Sequence, residues 1–300
     1  MIEKAIEIKS VTKRFGEVAA VSNLSLSVPS GSIYGILGPN GAGKTTTIRM
    51  IMNIFAPDEG EIKIFGEKMS EETKNIIGYL PEERGLYPKM QTTEILVYFG
   101  ELKGMEKKEA ERRGIELLRR IGLYDWKNRK IEELSKGMQQ KVQFIATIIH
   151  DPKIVILDEP FAGLDPLNTE VLKELMMELK KGGKTILFST HLMEHAEKLC
   201  DYVALINKGK KVLDGSLPEI KRDFGRNIIS IEIEGDGSPL MQIPSIIDKY
   251  EFGNRIELEM KEGEDPYELL KEIIERVKVK KFEISEASLN HIFIKVVKGS

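Results

Sequence analysis

A glycine-rich string near residue 40 has the composition and spacing of a loop that holds phosphate groups. It reads Gly38-Pro-Asn-Gly-Ala-Gly-Lys44-Thr45 and fits the pattern G-x-x-x-x-G-K-[ST]. Glycines let successive backbone N–H groups turn toward one anion, and a helix after the loop adds its positive N-terminal end. The Lys44 ammonium can reach the β- and γ-phosphates of a nucleotide, and the Thr45 hydroxyl can bind Mg²⁺. The nucleotide-binding residues predicted here are Gly38, Pro39, Asn40, Gly41, Ala42, Gly43, Lys44, Thr45 and Thr46.

The neighbouring segments favour a nucleotide site over a glycine-rich turn without a ligand. A strand-like run, Ile33–Leu37, precedes the loop, and a helix is predicted from Gly43 to about Phe55. Both elements are needed to aim the loop at a phosphate group.

A second string supplies two acids at the end of an apolar run. Ile154–Leu157 is typical of a strand buried on both faces, and Asp158 and Glu159 follow it directly. We expect Asp158 to emerge beside the loop and hold Mg²⁺, and Glu159 to polarise the water that attacks the γ-phosphate. Solvated acids that merely end a strand are the alternative, which the phosphate loop upstream makes less favourable.

Strands alternate with helices along the first part of the chain, and this order predicts an α/β fold with a mostly parallel sheet. The predicted strands are Ala5–Lys9, Leu24–Val28, Ile33–Leu37, Ile62–Phe65, Ile76–Leu80, Ile154–Leu157 and Thr185–Ser189, with a hairpin at 202–213. The predicted helices are Gly43–Phe55, a pair within Thr92–Ile121 broken at Gly104, Gly137–His150 and Thr169–Lys180.

The pattern changes near residue 225 and predicts a second, smaller α+β domain. Ile229–Ile233 and Ile256–Met260 alternate apolar and polar residues as half-buried strands do. A helix, a short strand around Lys281–Ile284 and a last helix, Ser285–Val297 with Ser285 as its N-cap, complete a ββαβα-like unit. The predicted domains are 1–222 and 223–300.

Composition excludes several classes of protein. The net charge of −3, without a basic stripe, argues against a nucleic-acid binder. A single cysteine, Cys200, rules out an intramolecular disulfide and fits a reducing compartment. No apolar run approaches the roughly 20 residues of a membrane span, and the charged start does not resemble a signal peptide.

Residues 1–220 resemble the ABC ATPases. Leu134-Ser135-Lys136-Gly137-Met138 occupies the place of that family's Leu-Ser-Gly-Gly-Gln signature; Ser135 and Gly137 match it, whereas Lys136 and Met138 depart from it. The resemblance implies that Ser135 and Gly137 meet the γ-phosphate of an ATP held by a partner subunit, in a head-to-tail dimer. Ser135 is also a plausible N-cap of the following helix, and both roles are compatible.

Three smaller elements follow the family's order. Phe15 resembles the aromatic residue that stacks on adenine, and Asp165 in Gly163-Leu-Asp-Pro166 resembles the D-loop that couples the two sites. His191 in Ser189-Thr-His191 resembles the switch histidine, which implies a hydrogen bond to the γ-phosphate and a role beside Glu159 in catalysis.

The chain departs from the family at Glu82. The family's Q-loop glutamine is expected in Ile77-Gly-Tyr-Leu-Pro-Glu82-Glu-Arg84, where position 82 is glutamate. A carboxylate can bind Mg²⁺, although it adds negative charge beside the phosphates. A solvated glutamate in an acidic loop is an equally good interpretation, and both stay open.

Two functions other than membrane transport are compatible with parts of the sequence. His191-Leu-Met-Glu-His195 matches the zinc-peptidase string H-x-x-E-H, but no third ligand is identifiable. Among the ABC ATPases that do not transport, the iron–sulphur assembly type is the hardest to exclude, although the C-terminal domain does not suit it.

The stretch Ile77–Pro88 and the tail Glu283–Phe293 resemble the ABC-2-type exporters. The preferred hypothesis is therefore an ATP-binding subunit of an exporter of that type. The resemblance implies a P-loop α/β core with an antiparallel β portion, a helical subdomain and a small α+β C-terminal domain. It implies ATP and Mg²⁺ as cofactors, and a homodimer or a paired ATPase subunit bound to a separate membrane permease. The subunit is then expected in the cytoplasm, held at the inner face of the cell membrane by that permease.

Overall fold

The chain forms two compact units, Met1–Asp214 and Gly215–Ser300. The computed structural model describes residues 3–83, 85–224, 228–253, 255–261 and 263–298. The boundary inferred from the sequence, 222/223, lies within a helix of the second unit, Leu217–Phe224.

The first unit combines strands and helices in the alternating order that the sequence predicts. Its strands are β1 (Lys4–Phe15), β2 (Val18–Pro29), β3 (Ile33–Leu37), β4 (Glu59–Ile64), β5 (Glu67–Lys68), β6 (Ile77–Leu80), β7 (Ile154–Asp158), β8 (Thr185–Thr190), β9 (Tyr202–Asn207) and β10 (Lys210–Ser216). Its helices are α1 (Lys44–Ile51), α2 (Glu71–Asn75), α3 (Thr92–Leu102), α4 (Lys107–Arg120), α5 (Lys136–Ile148), α6 (Pro166–Lys181) and α7 (Met193–Leu199).

Two sheets divide these strands. The first has the order β2-β1-β4-β5, and its neighbours pair antiparallel. The second has the order β10-β9-β3-β8-β7-β6, in which the neighbours from β9 to β6 pair parallel. The fold class predicted from the sequence, a P-loop α/β core with an antiparallel β portion, is confirmed.

Helix α1 belongs to the buried core that joins the two sheets. Ile48 and Ile51 on α1 are fully buried in one cluster with Ile6 of β1 and Ile156 of β7. The helix is shorter than predicted, because the chain turns at Asn53, whose φ of 52° is left-handed. Its first turn, which starts the site described below, lies where the sequence places it.

The predicted helical subdomain is present as α3, α4 and α5. Gly104, at φ 81°, separates α3 from α4, as the sequence predicts. Helix α3 packs against both α4 and α5. Helix α5 begins directly after Ser135, whose hydroxyl accepts the Met138 N–H at 3.3 Å.

The second unit is an α+β domain with one strand more than predicted. Its elements are α8 (Leu217–Phe224), β11 (Ile228–Glu234), β12 (Ile246–Phe252), β13 (Arg255–Met260), α9 (Pro266–Arg276), β14 (Lys278–Ser285) and α10 (Leu289–Lys298), and its sheet order is β12-β13-β11-β14. The prediction of Ser285 as an N-cap is wrong, since Ser285 pairs with Ile228 as the last residue of β14. The Ser288 hydroxyl instead accepts the His291 N–H at 3.2 Å and starts α10.

One buried glutamate of β13 anchors α10 to this sheet. Glu257 is fully buried, and its Oε2 accepts the Ser288 hydroxyl at 3.1 Å and lies 3.3 Å from His291 Nδ1. Arg255 lies 3.2 Å from Oε1. Burial favours the protonated acid, but the His291 ring, the Ser288 donors and Arg255 outweigh it and lower the pKa of Glu257.

None of the helices in the described part of either unit combines the length and the hydropathy that spanning a bilayer requires.

Candidate active site

The carboxyl ends of three neighbouring strands bring the predicted site residues together. Strand β8 lies between β3 and β7, and all three run parallel. The glycine-rich loop follows β3, Asp158 ends β7, and His191 follows β8. Parallel strands place these three segments at one edge of the sheet, the usual ligand site of open α/β folds.

The loop from Gly38 to Gly43 has a backbone that only glycine fits at two positions. A Cβ on Gly38, at φ 152°, would lie 2.1 Å from the Ile206 carbonyl oxygen, and one on Gly43, at φ 105°, would lie 2.5 Å from that of Ala20. Gly43 precedes α1, whose first turn carries no acidic residue. The loop and the helix N-terminus together form a site for an anion.

Lys44 is held inside this loop by backbone carbonyls. Its ammonium donates to the Gly38 oxygen at 2.9 Å and to the Pro39 oxygen at 3.1 Å, and only 5% of the residue is exposed. Its Nζ also lies 3.3 Å from Glu159 Oε1. The Lys44 ammonium therefore lies beside the carboxylate of Glu159, the residue that directly follows β7.

Asp158 is almost fully buried and offers one oxygen to two hydroxyl groups. Its Oδ1 accepts from Ser189 Oγ at 2.6 Å and from Thr45 Oγ1 at 3.2 Å. Its Oδ2 is buried and has no hydrogen-bond partner among the described residues. Burial, together with the nearby Glu159 charge, raises the pKa of Asp158 against the opposing effect of these hydroxyls and Arg49. A buried carboxylate with a spare oxygen beside a threonine hydroxyl fits the oxygen ligands that Mg²⁺ takes.

Glu159 has a left-handed backbone conformation, and its carboxylate lies between Lys44 and His191. Its φ of 48° lies in the left-handed region, which costs a non-glycine residue roughly 1 kcal/mol. Its N–H donates to Ser189 Oγ at 3.0 Å, and its Oε2 lies 3.0 Å from His191 Nδ1. An ionised carboxylate can only accept, so the ring nitrogen is the donor when these two atoms form a hydrogen bond. The carboxylate is thus fixed between Lys44 and His191.

A cavity of about 320 Å³ opens on these groups. Its lining consists of Ala20, Asn40, Gly41, Ala42, Gly43, Lys44, Thr45, Thr46, Glu82 and Glu159. Glu82 therefore lies at the wall of the predicted nucleotide site. Phe15 is half-exposed and contacts the Phe55 ring edge-on with centroids 5.6 Å apart.

Other predicted residues lie elsewhere on the first unit. Among the described residues, Ser135, Gly137 and Asp165 do not line this cavity. A Cβ on Gly137 would lie 2.6 Å from Asn168 Nδ2, and Asp165 caps α6 by accepting the Asn168 N–H at 2.9 Å. Hydrogen bonds from Asn168 lower the pKa of Asp165. The segment that contains Gly137 thus packs against the segment that contains Asp165 and Asn168.

The zinc-peptidase string is divided between two different contacts. His191 faces Glu159, whereas the His195 ring packs on Phe161 with centroids 4.6 Å apart. Within the ranges that the structure describes, no group of three His, Cys, Asp or Glu side chains could hold a metal ion.

Sequence reasoning missed Ser189 and Gln140 as site residues. Ser189 lies beside Asp158 in the parallel register and bonds both acids. Gln140 Nε2 donates to the Pro160 oxygen at 3.3 Å and ties α5 to the segment after Glu159. Ser189 could have been found from its place two residues before His191; the contact of Gln140 left no local signal.

A relative matches the chain over almost its whole length. The ABC transporter ATP-binding protein YhaQ of Bacillus subtilis is 45% identical over 97% of this chain and 98% of its own. This chain belongs to the ATP-binding proteins of ABC transporters.

Family profiles and a solved structure agree with that assignment. The ABC transporter profile matches residues 21–162, and the profile of the ATP-binding protein DrrA1-3-like C-terminal domain matches residues 215–297. Nod factor export ATP-binding protein I of Burkholderia lata is 37% identical over 75% of this chain and 76% of its own. The dimeric post-hydrolysis structure of an ATP-binding cassette bound to ADP and phosphate is 27% identical, with a TM-score of 0.65, over 71% of this chain and 98% of that one.

These matches confirm two predictions. As an ABC transporter ATP-binding protein, the chain is an ATPase that powers a membrane permease. The C-terminal profile confirms the predicted accessory domain of the exporter subgroup.

Proposed function

We propose that this subunit hydrolyses ATP with Lys44, Glu159 and His191 and thereby powers an exporter. One observation carries the catalytic part: Glu159 lies at the wall of the phosphate-loop cavity, 3.3 Å from Lys44 Nζ and 3.0 Å from His191 Nδ1. A carboxylate fixed between a cation and a hydrogen-bond donor beside a phosphate site can accept a proton from water.

The residues divide the work of hydrolysis. The loop amides and Lys44 hold the β- and γ-phosphates, and Glu159 accepts a proton from the water whose oxygen attacks the γ-phosphorus. The bond from that phosphorus to the bridging oxygen of ADP breaks, and ADP and phosphate leave. His191, 3.0 Å from the Glu159 carboxylate, would orient the same water and bind the γ-phosphate.

Mg²⁺ fits the oxygen groups around Asp158. The Thr45 hydroxyl and the Asp158 carboxylate would hold the ion, and Glu82 at the wall of the cavity is a third candidate. When bound, the ion neutralises phosphate charge. The Ser189 hydroxyl donates to Oδ1 and so fixes the orientation of the Asp158 carboxylate. The other oxygen, Oδ2, has no hydrogen-bond donor among the described residues.

The remaining residues point to a nucleotide shared by two subunits. Phe15 presents an exposed ring suited to stack on adenine. Ser135, Gly137 and Asp165 do not line the cavity of their own chain, as far as it is described, and Ser135 is exposed at the start of α5. We therefore place Ser135 and Gly137 on the γ-phosphate of a second copy, or of a paired ATPase subunit, with Asp165 between the two sites.

The direction of transport is proposed from the relatives and the second unit. The Burkholderia lata relative is named for Nod factor export, and the C-terminal profile is that of a DrrA1-3-like protein. An exporter subunit of this kind works at the cytoplasmic face of the membrane, where a separate permease holds it. The cargo is selected by that permease.

Co-purification tests this proposal. The Glu159→Gln variant, tagged and loaded with ATP, is purified from the membranes of the cells that make it, with the tag alone as control. A multi-span permease in a fixed ratio to the subunit is the expected result. Recovery of soluble partners only would overturn transport and favour an ABC ATPase of another kind.

A further inference from the structure

One histidine of the H-x-x-E-H string has no part in the proposed hydrolysis. His195 lies on α7, four residues after His191, which precedes the helix. Its Nδ1 is buried and has no hydrogen-bond partner in the described part of the chain. Its ring meets Phe161 edge to face, with centroids 4.6 Å apart and planes at 79°.

Phe161 connects this ring to the catalytic carboxylate. It is 4% exposed and lies two residues after Glu159, whose carbonyl oxygen accepts the Ala162 N–H at 3.1 Å. Phe161 also packs on Phe188 of β8 with centroids 6.0 Å apart. Strand β8 leads directly to His191. The segment that carries Glu159 and Phe161 therefore meets the segment from β8 to α7 at the polar contact of Glu159 with His191 and at the aromatic contacts of Phe161.

The charges around His195 suit an aromatic contact. Burial is the main effect that lowers its pKa; Lys173 and Lys198 lower it further, and Glu194 and Glu170 oppose them. Burial thus disfavours the charged ring and favours a neutral one packed on the phenyl group of Phe161.

We propose that His195 is a positioning residue, which holds α7 against Phe161 and so sets the distance between His191 and Glu159. The inference rests on the catalytic pair of the proposed function. Helix α7 has only seven residues, and a helix of this length depends on tertiary contacts for its place. The side chain of His191 is 42% exposed, so its aim depends on the backbone that carries it.

The contact acts on turnover more than on ATP binding. The phosphate loop, Lys44 and α1 are not part of it, so its loss leaves the main ATP contacts in place. Misplacing a catalytic group by about 1 Å can cost a hundredfold in rate, and a loosened helix is expected to cost less.

Two substitutions of His195 separate the ring from its nitrogens. His195→Ala removes the contact with Phe161, and His195→Phe keeps a flat ring there. Leu199→Ala is the matched control, because Leu199 is a buried residue of the same helix. All are made in the full chain and assayed for ATP hydrolysis over a range of ATP concentrations, with amide hydrogen exchange of residues 190–199 as a second measurement.

The expected result is a kcat about fivefold to twentyfold lower for His195→Ala, with KM for ATP within about twofold. The kcat of His195→Phe stays within about twofold of the wild-type value. Leu199→Ala lowers Tm but keeps the wild-type kcat at temperatures below its unfolding transition. Exchange of 190–199 accelerates in His195→Ala and not in His195→Phe.

Wild-type kcat in His195→Ala, or equal losses in His195→Phe and His195→Ala, would overturn the inference. Failure of the proposed function is a different result, since Glu159→Gln would then turn over normally while the exchange measurement still reports on the contact.

Discussion

The hydroxyl of Ser189 joins the two acids of the site, donating to Asp158 Oδ1 at 2.6 Å while its oxygen accepts the Glu159 N–H at 3.0 Å. Ser189 is fully buried, and it lies opposite Asp158 in the parallel pairing of β7 and β8. The Ser189 side chain thus orients the Asp158 carboxylate, which is proposed to hold Mg²⁺. It also holds the backbone of Glu159, the residue proposed to accept a proton.

Ser189→Ala is expected to lower kcat about tenfold and to destabilise the first unit by about 1.5–3 kcal/mol, the usual contribution of a hydrogen bond to a charged group. Ser189→Thr, which keeps the hydroxyl, is the control. ATPase kinetics and urea unfolding measure both effects. Equal activity in Ser189→Ala and the wild type would remove Ser189 from the positioning of the acids.

Glu82→Gln tests whether the glutamate at the cavity wall binds Mg²⁺. Loss of one anionic ligand is expected to raise the Mg²⁺ concentration for half-maximal hydrolysis severalfold. Glu83→Gln changes the adjacent acid, which is outside the described lining of the cavity, and is expected to have no such effect. An unchanged Mg²⁺ dependence in Glu82→Gln would make Glu82 a solvated loop residue.

Ser135→Arg tests the shared nucleotide site in a Glu159→Gln background. The added cation and bulk at the start of α5 are expected to weaken ATP-dependent dimerisation at least tenfold, measured by light scattering. Ser70→Arg is the control, since Ser70 also caps a helix, the short α2. A dimer of unchanged affinity would show that Ser135 does not meet the partner's nucleotide.

The second unit is expected to lose stability in acid through Glu257. Because its pKa is lowered in the fold, the stabilisation is complete above the unfolded value of 4.5 and is lost as pH falls through the folded value. Glu257→Gln should be less stable by about 1–3 kcal/mol at pH 7 and should not show this loss. Hydrogen exchange of residues 228–261 between about pH 6 and pH 3 tests it, because the loss begins only below the unfolded value; equal acid sensitivity in both proteins would contradict it.

Residues that lie in short continuous strings could be predicted from the sequence. The loop before Lys44 and the acids after Leu157 each contain their own strand and turn signals, and the structure places both at one sheet edge. His191 was expected beside Glu159 from the family resemblance alone, and the structure places its Nδ1 3.0 Å from Glu159 Oε2.

Contacts between distant segments could not be predicted in the same way. The bond from Gln140 to Pro160 and the packing of His195 on Phe161 depend on how α5 and α7 meet the end of β7, which no local spacing encodes. Strand β12 was missed because its residues, Ile-Ile-Asp-Lys-Tyr-Glu-Phe, lack a clear alternation. The local pattern around Ser285 favours a helix cap, and it does not encode the long-range pairing of Ser285 with Ile228.

The turnover of Glu159→Gln tests the central claim most directly. ATP hydrolysis and ATP binding are measured for the full chain, with Glu132→Gln, an exposed acid outside the described cavity, as control and Lys44→Ala as the variant expected to lose ATP affinity. The proposed mechanism predicts that Glu159→Gln binds ATP like the wild type and hydrolyses it at least about a hundredfold more slowly, the loss of a positioned general base. Hydrolysis at the wild-type rate would contradict the assignment of Glu159 as the group that activates water.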